Sequence, residues 1–368
     1  MRIAQVAPMY EAVPPHRYGG TERVVSYLTE ELVRRGHDVT LFASGDSRTA
    51  AKLVPTSAAA LRERFTLQEM REVAPPLHLA MMGEVLQRAD EFDVIHSHVD
   101  YFPWAFAPFV RSPMITTMHG RLDVAYWPPL IERFPKTPLV SISHHQRAPL
   151  AALHPHWAGT VYNGIPVNEF PFNAKPGDYF LFLGRIAVEK RPDWAVEIAR
   201  RTGIKLKVAA KIDPYDQEYF DREIKHLFDD PLVEFLGEVD EQEKRKLLAG
   251  AYALMFPIDW PEPFGMVQVE AMACGTPVLA MNRGSVPEVL RHGVSALVGN
   301  SVDELVALAP QLGRLDRRAC RAEAAQRFSS AAMAAGYEQI YRRVIAEHQA
   351  DDLAIALGAP SKRVPISA

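Results

Sequence analysis

Residues 261–277 of the 368-residue chain read PEPFGMVQVEAMACGTP, a pattern that predicts a loop, a helix and a turn into a strand. Two prolines hold Glu262 in an extended loop, and the helix begins near Phe264. Amides in the first helical turn lack intrahelical partners, so they face whatever lies beside Glu262. Glu270 falls on the second turn, where a carboxylate can accept two hydrogen bonds from a vicinal diol such as a ribose. We therefore expect a polar pocket at the positive end of this helix.

Both glutamates also have structural interpretations, which the local pattern leaves open. The helix dipole favours an acidic residue near a helix N-terminus, and this alone could explain a glutamate at position 262. Glu270 could be a solvated residue on the helix surface. The adjacent Phe264 and Gly265, with the small residues at 271–275, favour a packed site instead.

Strands and helices alternate on both sides of this stretch. In the N-terminal half, short apolar runs predict strands at residues 2–7, 38–43, 93–97, 114–118 and 139–143. After a linker-like stretch at 163–177, a second series predicts strands at 179–183, 205–210, 233–236, 253–256 and 277–280. This alternation indicates an α/β protein with two doubly wound, parallel, Rossmann-like sheets facing a cleft. We predict domains at 1–166 and 167–346, with a terminal helix at 329–346 and a loose tail at 347–368.

The composition excludes several classes of function. Lysine and arginine number 41 against 45 acidic residues, a net charge of −4, which argues against a chain that coats nucleic acid or an anionic membrane. No apolar run approaches the roughly 20 residues of a membrane span, and no signal peptide is apparent, so we expect a cytoplasmic protein. Cys274 and Cys320 lie far apart and lack zinc-finger spacing. The composition predicts no oligomeric state.

Three nucleotide and metal motifs are absent from the sequence. None of the 21 glycines stands two residues from another, so the dinucleotide-binding motif G-x-G-x-x-G does not occur. There is no Walker A sequence, and no Asp-x-Asp, with which many sugar-nucleotide enzymes hold a cation. We therefore expect neither a cofactor nor a bound metal ion.

Two further loops have residues suited to an anion. Arg185 and Lys190 follow the first strand of the second domain, at the carboxyl end where open α/β sheets bind ligands. Arg185 could bind two phosphate oxygens at once through its guanidinium, and Lys190 could act as a mobile point charge. In the segment Tyr18 to Thr21, the paired Gly19 and Gly20 let backbone amides approach an anion at a helix N-terminus. Surface cations and an ordinary turn are the competing interpretations.

The segment EPFGMVQVEAMACGTPV, at residues 262–278, resembles the E-x7-E motif of the retaining glycosyltransferases of family 4, which have the two-domain GT-B fold. Gly184 to Lys190 matches the family's G-R-x4-K segment. The resemblance extends over nearly the whole chain up to about Ala346. It implies that the C-terminal helix returns to the N-terminal domain.

The resemblance also implies roles for individual residues. His119, after the strand at 114–118, is similar to the family's histidine at the floor of the cleft, near the donor sugar and the acceptor. His119 and Glu262 are the expected catalytic residues. The other expected contacts are Glu262 and the amides at Phe264, Gly265 and Met266 for the donor sugar, Glu270 for the ribose, Arg185, Lys190, Gly19 and Gly20 for the diphosphate, and the backbone of Glu238 and Val239 for the base.

The function implied is a retaining transfer of a hexosyl group from a nucleoside diphosphate sugar to an acceptor hydroxyl, without a metal ion. The leaving phosphate is expected to assist deprotonation of the acceptor on the same face. UDP is the favoured donor nucleotide and GDP the second, because of their frequency in the family. The expected partners are this donor and an acceptor that the sequence does not identify.

Two rival functions remain open. His96 and His98 end a strand at a spacing that puts both imidazoles on one face, as in a metal-dependent hydrolase. Further candidate ligands are His144, His145, His154 and His156. Adjacent histidines on a strand point apart, however, and no carboxylate cluster has ligand spacing. The second rival is a non-catalytic nucleotide-sugar-binding protein, which the presence of both glutamates and both cations disfavours.

Overall fold

The computed structural model describes residues 1–16 and 19–356, which form two compact units. Unit 1 combines Met1–Gly164 with the segment that begins at Ser330, and unit 2 is Ile165–Ser329. Each unit is built on its own parallel sheet. The prediction of two doubly wound parallel sheets is therefore confirmed. The observed boundary follows Gly164, close to the predicted one at 166.

Unit 1 contains the first seven strands and the first four helices of the chain. The strands are β1 (Arg2–Val6), β2 (Asp38–Ser44), β3 (Lys52–Ser57), β4 (Val94–Ser97), β5 (Met114–Met118), β6 (Leu139–Ser141) and β7 (Trp157–Thr160). The helices are α1 (Gly20–Arg34), α2 (Leu61–Arg64), α3 (Leu67–Gln87) and α4 (Trp127–Arg133). The described strands lie in the order β3-β2-β1-β4-β5-β6-β7, with parallel pairing throughout. Because β2 lies on one side of β1 and β4 on the other, the order reverses there, and the loops that follow β1 and β4 diverge.

Unit 2 repeats this architecture with six strands. They are β8 (Tyr179–Ile186), β9 (Lys205–Ile212), β10 (Val233–Gly237), β11 (Ala253–Phe256), β12 (Val278–Met281) and β13 (Ala296–Gly299), in the order β10-β9-β8-β11-β12-β13. The helices are α5 (Pro192–Thr202), α6 (Gln217–Tyr219), α7 (Glu241–Gly250), α8 (Met266–Ala273), α9 (Val286–Val289), α10 (Val302–Leu308) and α11 (Arg317–Arg327). Fully buried side chains such as Phe180, Ile198 and Leu206 join the sheet to α5. The strand order reverses between β8 and β11.

The last helix, α12 (Ser330–Ala356), follows unit 2 in the chain but belongs to unit 1. Its Tyr337 and Tyr341 rings are buried there. The expected return of the C-terminal helix is therefore confirmed. The predicted loose tail is wrong for residues 347–356, which continue the helix because no glycine or proline interrupts them. The rest of that predicted tail, 357–368, lies outside the described residues.

Two expectations from composition concern cysteines and membranes. Cys274 and Cys320 are buried, and burial raises the pKa of each thiol to about 12, which keeps both thiols protonated and unreactive. Among the helices in the described ranges, none combines the length and apolar character needed to cross a bilayer.

Glu338 anchors α12 to the end of α1, and we expect this contact to make stability depend on pH. Hydrogen bonds from Arg35 (2.7 Å) and His37 (2.8 Å) outweigh burial and lower the pKa of Glu338 to about 2. The pKa of Glu338 in the folded state lies below its pKa in the unfolded state. The contribution of Glu338 to the free energy of unfolding is therefore complete above about pH 5 and is lost as pH falls toward 2. Glu338→Gln should therefore lower the free energy of unfolding at pH 7 by about 2 to 3 kcal/mol, measured by urea denaturation.

Glu347→Gln is the matched control on the same helix. Its carboxylate lies 3.8 Å from Arg343 with the side chain 59% exposed, so this variant should change stability little. Equal stability of the two variants at pH 7 would contradict the anchoring role of Glu338.

Candidate functional site

In unit 2, the predicted donor-binding residues lie at the ends of two neighbouring strands. β8 and β11 pair in parallel, at the point where the strand order reverses. Arg185 is near the end of β8, Lys190 lies in the turn that follows, and Glu262 lies in the loop after β11. Loops that diverge from such a point open a crevice at the carboxyl edge of a parallel sheet.

Lys190 and Glu262 form an ion pair between these two loops. The Lys190 ammonium contacts Oε2 of Glu262, and Nε1 of Trp260 donates to the same oxygen at 3.0 Å. The ammonium also lies 5.0 Å from the centroid of the Trp260 ring, within the range of a cation–π contact. The side chains of Lys190 and Glu262 are 19% and 12% exposed, so the pair is largely shielded from water. The sequence identified the two residues separately without predicting their contact.

Gly284 supports the backbone of Glu262. A Cβ at position 284 would lie 2.6 Å from the carbonyl oxygen of Glu262, and the φ of Gly284 is +55°. The next amide, that of Ser285, donates to the same carbonyl oxygen at 2.9 Å. Glycine alone permits this approach without strain. No motif marked Gly284, because its role depends on a neighbouring loop.

Arg185 is also paired with carboxylates. Its two terminal nitrogens contact Oδ2 of Asp216 at 2.9 Å and Oε1 of Glu189 at 2.8 Å. Burial raises the pKa of Asp216, and the charge of Arg185 offsets part of that increase. A phosphate would therefore have to exchange with these partners, and diphosphate binding by Arg185 and Lys190 stays a prediction.

The helix of the E-x7-E segment begins after Gly265, whose φ of 77° lies in the left-handed region. Phe264 is buried, and its ring lies 5.8 Å from that of Phe328 between centroids. Phe264 can therefore serve a ligand only through its backbone, as the resemblance implies. Contacts of the amides at Phe264, Gly265 and Met266 with a sugar stay a prediction.

Glu270 lies on α8 and is almost fully buried. Nζ of Lys244, on α7, is 2.8 Å from Oε1 of Glu270 and 2.8 Å from Oε2 of Glu241. Burial lowers the pKa of Lys244, but attraction to Glu270 and Glu241 outweighs it, so that the pKa lies above its usual value. Lys244 thus holds the carboxylate in place. Sequence reasoning missed it because α7 and α8 meet only in the folded chain.

The predicted base-binding loop precedes the helix of Lys244. Gly237 ends β10 with a φ of +68°, and Asp240 caps α7 by accepting a hydrogen bond from the amide of Glu243 at 2.8 Å. Glu238 and Val239 lie between them. Because α7 packs on α8, this loop and Glu270 belong to adjoining elements. Base binding by the loop stays a prediction.

In unit 1, His119 joins a buried chain of hydrogen bonds. Its Nε2 is 2.8 Å from Nδ1 of His98, and Nε2 of His98 is 2.7 Å from Oε1 of Gln5. The amide nitrogen of Gln5 donates to the hydroxyl of Tyr341 on α12 at 3.1 Å. The chain therefore runs from the end of β5 to the C-terminal helix.

This chain fixes the proton positions. Because Oε1 of Gln5 can only accept, His98 has its proton on Nε2 and accepts at Nδ1. His119 then donates from Nε2, which leaves its Nδ1 as an acceptor. Burial lowers the pKa of His119 to about 4, so the ring is neutral at pH 7. His119 can accept a hydrogen bond from a hydroxyl group at Nδ1 but provides no positive charge.

The histidines of the hydrolase hypothesis either bond to neighbouring side chains or lie apart in other elements. His96 and His98 lie with ring centroids 4.0 Å apart, but His96 already bonds to Thr117 and Tyr341, each at 2.7 Å. The placement of His144 and His145 on a strand was wrong, because they are the N-cap and the first residue of the 3-10 helix after β6, and His154 is the C-cap of the same helix. Within residues 1–16 and 19–356, no group of three His, Cys, Asp or Glu side chains is arranged to hold a metal ion.

A cavity of about 300 Å³ opens in unit 1 between the loops that follow β1, β4 and β5. Gly19, Gly20 and His119 line it, as do Glu22 and Asp100, for which no role was predicted. A Cβ at Gly19 would lie 2.7 Å from Cβ of Pro15, which explains glycine there. Tyr18 lies outside the described residues. Asp100 follows His98 at the carboxyl end of β4, a position that could have drawn attention to it.

We expect Lys244→Met to destabilise the protein because it leaves the carboxylate of Glu270 buried without its cation. Breaking one side of a buried pair costs about 3 to 5 kcal/mol, whereas the double variant Lys244→Met/Glu270→Gln should recover much of that loss. Urea denaturation at pH 7 measures both. The control Lys246→Met removes an exposed lysine 3.8 Å from Glu243 on the same helix and should have little effect. A double variant no more stable than Lys244→Met would disprove the pairing.

Solved structures share the fold over 94% of this chain. Sucrose-phosphate synthase from Thermosynechococcus elongatus superimposes with a TM-score of 0.76 at 19% identity, covering 94% of this chain and 99% of that one. The Anabaena protein HepE in complex with UDP-glucose has a TM-score of 0.70 at 18% identity, covering 94% and 100%. The expected GT-B fold is therefore confirmed.

Sequence relatives and family models identify the family. Glycogen synthase of Mycobacterium tuberculosis is 29% identical over 345 residues, which cover 80% of this chain and 81% of that protein. An uncharacterized glycosyltransferase of Methanocaldococcus jannaschii is 25% identical over 343 residues, covering 81% and 84%. Residues 18–169 match the model of Glycosyltransferase Family 4, and residues 168–331 match that of Glycosyl transferases group 1. Together these matches span residues 18–331, and the chain belongs to the glycosyltransferases of family 4.

Proposed function

We propose that this glycosyltransferase moves a hexosyl group from a nucleoside diphosphate sugar to an acceptor hydroxyl, with retention of configuration and without a metal ion. The contact between Lys190 and Glu262 is the main support, because it brings a cation and a carboxylate together at the ligand-binding edge of unit 2. UDP is the first choice of nucleotide, with GDP second. The UDP-glucose bound by HepE supports that order.

In the proposed step, the acceptor oxygen bonds to the anomeric carbon while the bond from that carbon to the leaving phosphate oxygen breaks. The nucleoside diphosphate leaves with the electron pair of the broken bond. The proton of the acceptor hydroxyl passes to a phosphate oxygen on the same face, which preserves the configuration. No further reactant is needed.

The negative charge that grows on the leaving group is assigned to Arg185 and Lys190. Both are bound to carboxylates in the free protein, so a diphosphate exchanges for those partners. When Lys190 turns to a phosphate, Oε2 of Glu262 loses its ammonium and becomes available to a sugar hydroxyl. Diphosphate binding thereby prepares the sugar site. The amides of Gly19 and Gly20 are proposed as additional diphosphate contacts.

The nucleoside is assigned to Glu270 and the loop before α7. Lys244 keeps the carboxylate of Glu270 charged and oriented, as recognition of the ribose diol requires. The backbone at Glu238 and Val239 is proposed to read the base. His119, neutral with Nδ1 as acceptor, is proposed to accept a hydrogen bond from a sugar hydroxyl rather than to act as an acid.

We expect the two glutamates to have separable effects. Glu270→Ala removes a contact made by donor and product alike, so the Kd of UDP should rise about 10-fold to 100-fold in calorimetry. Glu262→Gln removes the carboxylate that competes with a phosphate for Lys190, so UDP affinity should not fall, while transfer of the hexosyl group is lost. Glu197→Gln, on an exposed side chain of α5, is the control. Equal losses of UDP affinity in the Glu262 and Glu270 variants would refute these assignments.

Transfer should continue in excess EDTA and should fall about 100-fold to 1000-fold in Arg185→Ala or Lys190→Ala, because these cations are proposed to neutralise the leaving diphosphate. Arg201→Ala is the control, because it removes the same type of side chain from the last turn of α5. Initial rates of nucleotide release from the donor measure the effect. If chelation abolishes transfer and zinc restores it, the metal-independent mechanism is wrong.

A further inference from the structure

Gln268 is a fully buried polar residue between the two glutamates of the E-x7-E segment, and no prediction gave it a role. It is the third residue of α8, and its exposure is 0%. Nε2 of Gln268 donates to the carbonyl oxygen of Phe264 at 2.9 Å and lies 3.4 Å from that of Gly265. Because carbonyl oxygens only accept, the amide nitrogen must be the group that faces them. A Cβ at position 265 would collide with this nitrogen, so Gly265 also makes room for it.

This orientation leaves the oxygen of the same side chain without a partner. Oε1 of Gln268 is buried and has no hydrogen bond among residues 1–16 and 19–356. In a capping box, a glutamine at the third helical position turns its oxygen to the amide of the N-cap residue. The reverse orientation occurs here, and a buried acceptor without a partner destabilises the folded protein. Gln268 is therefore better explained by what its donor does for the loop than by stability.

The carbonyl of Phe264 is held by a second buried side chain. Oγ of Ser285 donates to it at 3.0 Å, and Ser285 is fully buried as well. The amide of Ser285 also donates to the carbonyl of Glu262 at 2.9 Å. Donors from two separate segments of the chain therefore fix one peptide group at the start of α8.

Fixing a carbonyl also fixes the amide of the next residue, because a peptide group is planar and trans and its N–H points away from its C=O. The carbonyl of Phe264 shares its peptide group with the amide of Gly265. The carbonyl of Gly265 accepts from the amide of Gln268 at 3.1 Å and shares its own peptide group with the amide of Met266. Within the described part of the chain, the amides of Gly265 and Met266 have no hydrogen-bond partner. Hydrogen bonds to the carbonyls polarise both peptide groups, which makes these amides stronger donors.

We propose that Gln268 is a positioning residue for the donor sugar, which acts through the peptide groups of residues 264–266 without touching the ligand. Together with Ser285, it orients the amides of Gly265 and Met266 toward the sugar. The inference rests on the proposed function and on the predicted contact of these amides with the sugar. Because the nucleoside is assigned to Glu270 and the loop before α7, a change at Gln268 affects the sugar and spares the nucleotide.

Gln268→Met tests this role, because methionine has nearly the same length and no N–H. Calorimetry with UDP and with UDP-glucose separates the nucleotide from the sugar. The Kd of UDP should stay that of the wild type, whereas the Kd of UDP-glucose should rise about 10-fold. Release of UDP from UDP-glucose, with water as the acceptor, should slow about 10-fold to 100-fold because the amides are misaligned. The melting temperature should not fall, since the buried acceptor without a partner is removed as well.

Gln326→Met is the matched control, because it makes the same substitution at an exposed position of α11. It should leave both dissociation constants and the rate unchanged. If the wild type binds GDP and not UDP, then GDP and GDP-mannose take the places of UDP and UDP-glucose in every measurement.

Gln268→Glu should give a pH profile that a merely structural residue would not produce. Burial and the two facing carbonyl oxygens favour the protonated carboxyl, which can still donate to Phe264. Ionisation at higher pH replaces that donor with a charge that the carbonyl oxygens repel. The rate of Gln268→Glu should therefore approach that of the wild type near about pH 5 and fall below it toward about pH 8. The ratio of Gln268→Met to the wild type should not change with pH.

Ser285→Ala tests whether the two donors act on the same carbonyl. Each single variant leaves one of these donors in place, so the double variant Gln268→Met/Ser285→Ala should lose more rate than the product of the two single losses. Losses that simply multiply would show that Gln268 and Ser285 act independently, which would contradict the shared peptide group.

The other outcomes separate the inference from the proposed function. If Gln268→Met weakens UDP and UDP-glucose equally, retains the rate of the wild type, or loses rate only together with melting temperature, the positioning role is wrong and the proposed function stands. A ratio of Gln268→Glu to the wild type that is independent of pH also overturns the role. If the wild type binds neither UDP nor GDP, the proposed function fails and the inference fails with it.

Discussion

Lys190 and Glu262 contact each other between two loops that follow neighbouring strands, and the chemistry assigned to unit 2 depends on this ion pair. Parallel pairing of β8 with β11 sets both loops at one edge of the sheet, and Gly284 lets the backbone of Glu262 approach closely. The pair is largely shielded, so either charge left alone would be costly. In the proposed exchange, a diphosphate replaces Glu262 as the partner of Lys190, which would link arrival of the nucleotide to release of the carboxylate.

Unit 1 uses the same topological rule for different chemistry. Its strand order also reverses, between β1 and β4, and a cavity opens at that point. Here the lining groups are carboxyls, histidines, Tyr10 and the guanidinium of Arg62, which is paired with Glu11. The chain from His119 through His98 and Gln5 to Tyr341 satisfies buried polar groups that would otherwise be costly. The same hydrogen bonds orient His119 and hold α12, so both the stability of unit 1 and the geometry of its site depend on them.

Much of the fold followed from periodicity, and the rest required tertiary contacts. Buried central strands such as β5 were predicted at their observed positions. The edge strands β3, β7 and β13 were missed because a proline, a glycine or a length of only four residues leaves them no clear apolar run. Local spacing identified Glu262, Glu270 and Lys190 as candidates. It could not identify Lys244, which reaches Glu270 from another helix, because nothing in a single segment encodes which helix packs beside it.

A crystal structure of the protein soaked with UDP tests the central claim most directly. Lys190 should then contact a phosphate oxygen instead of Glu262, and the ribose hydroxyls should lie within hydrogen-bond distance of the Glu270 carboxylate. If UDP binds elsewhere, or if the contact between Lys190 and Glu262 persists beside a bound nucleotide, the exchange of partners is wrong.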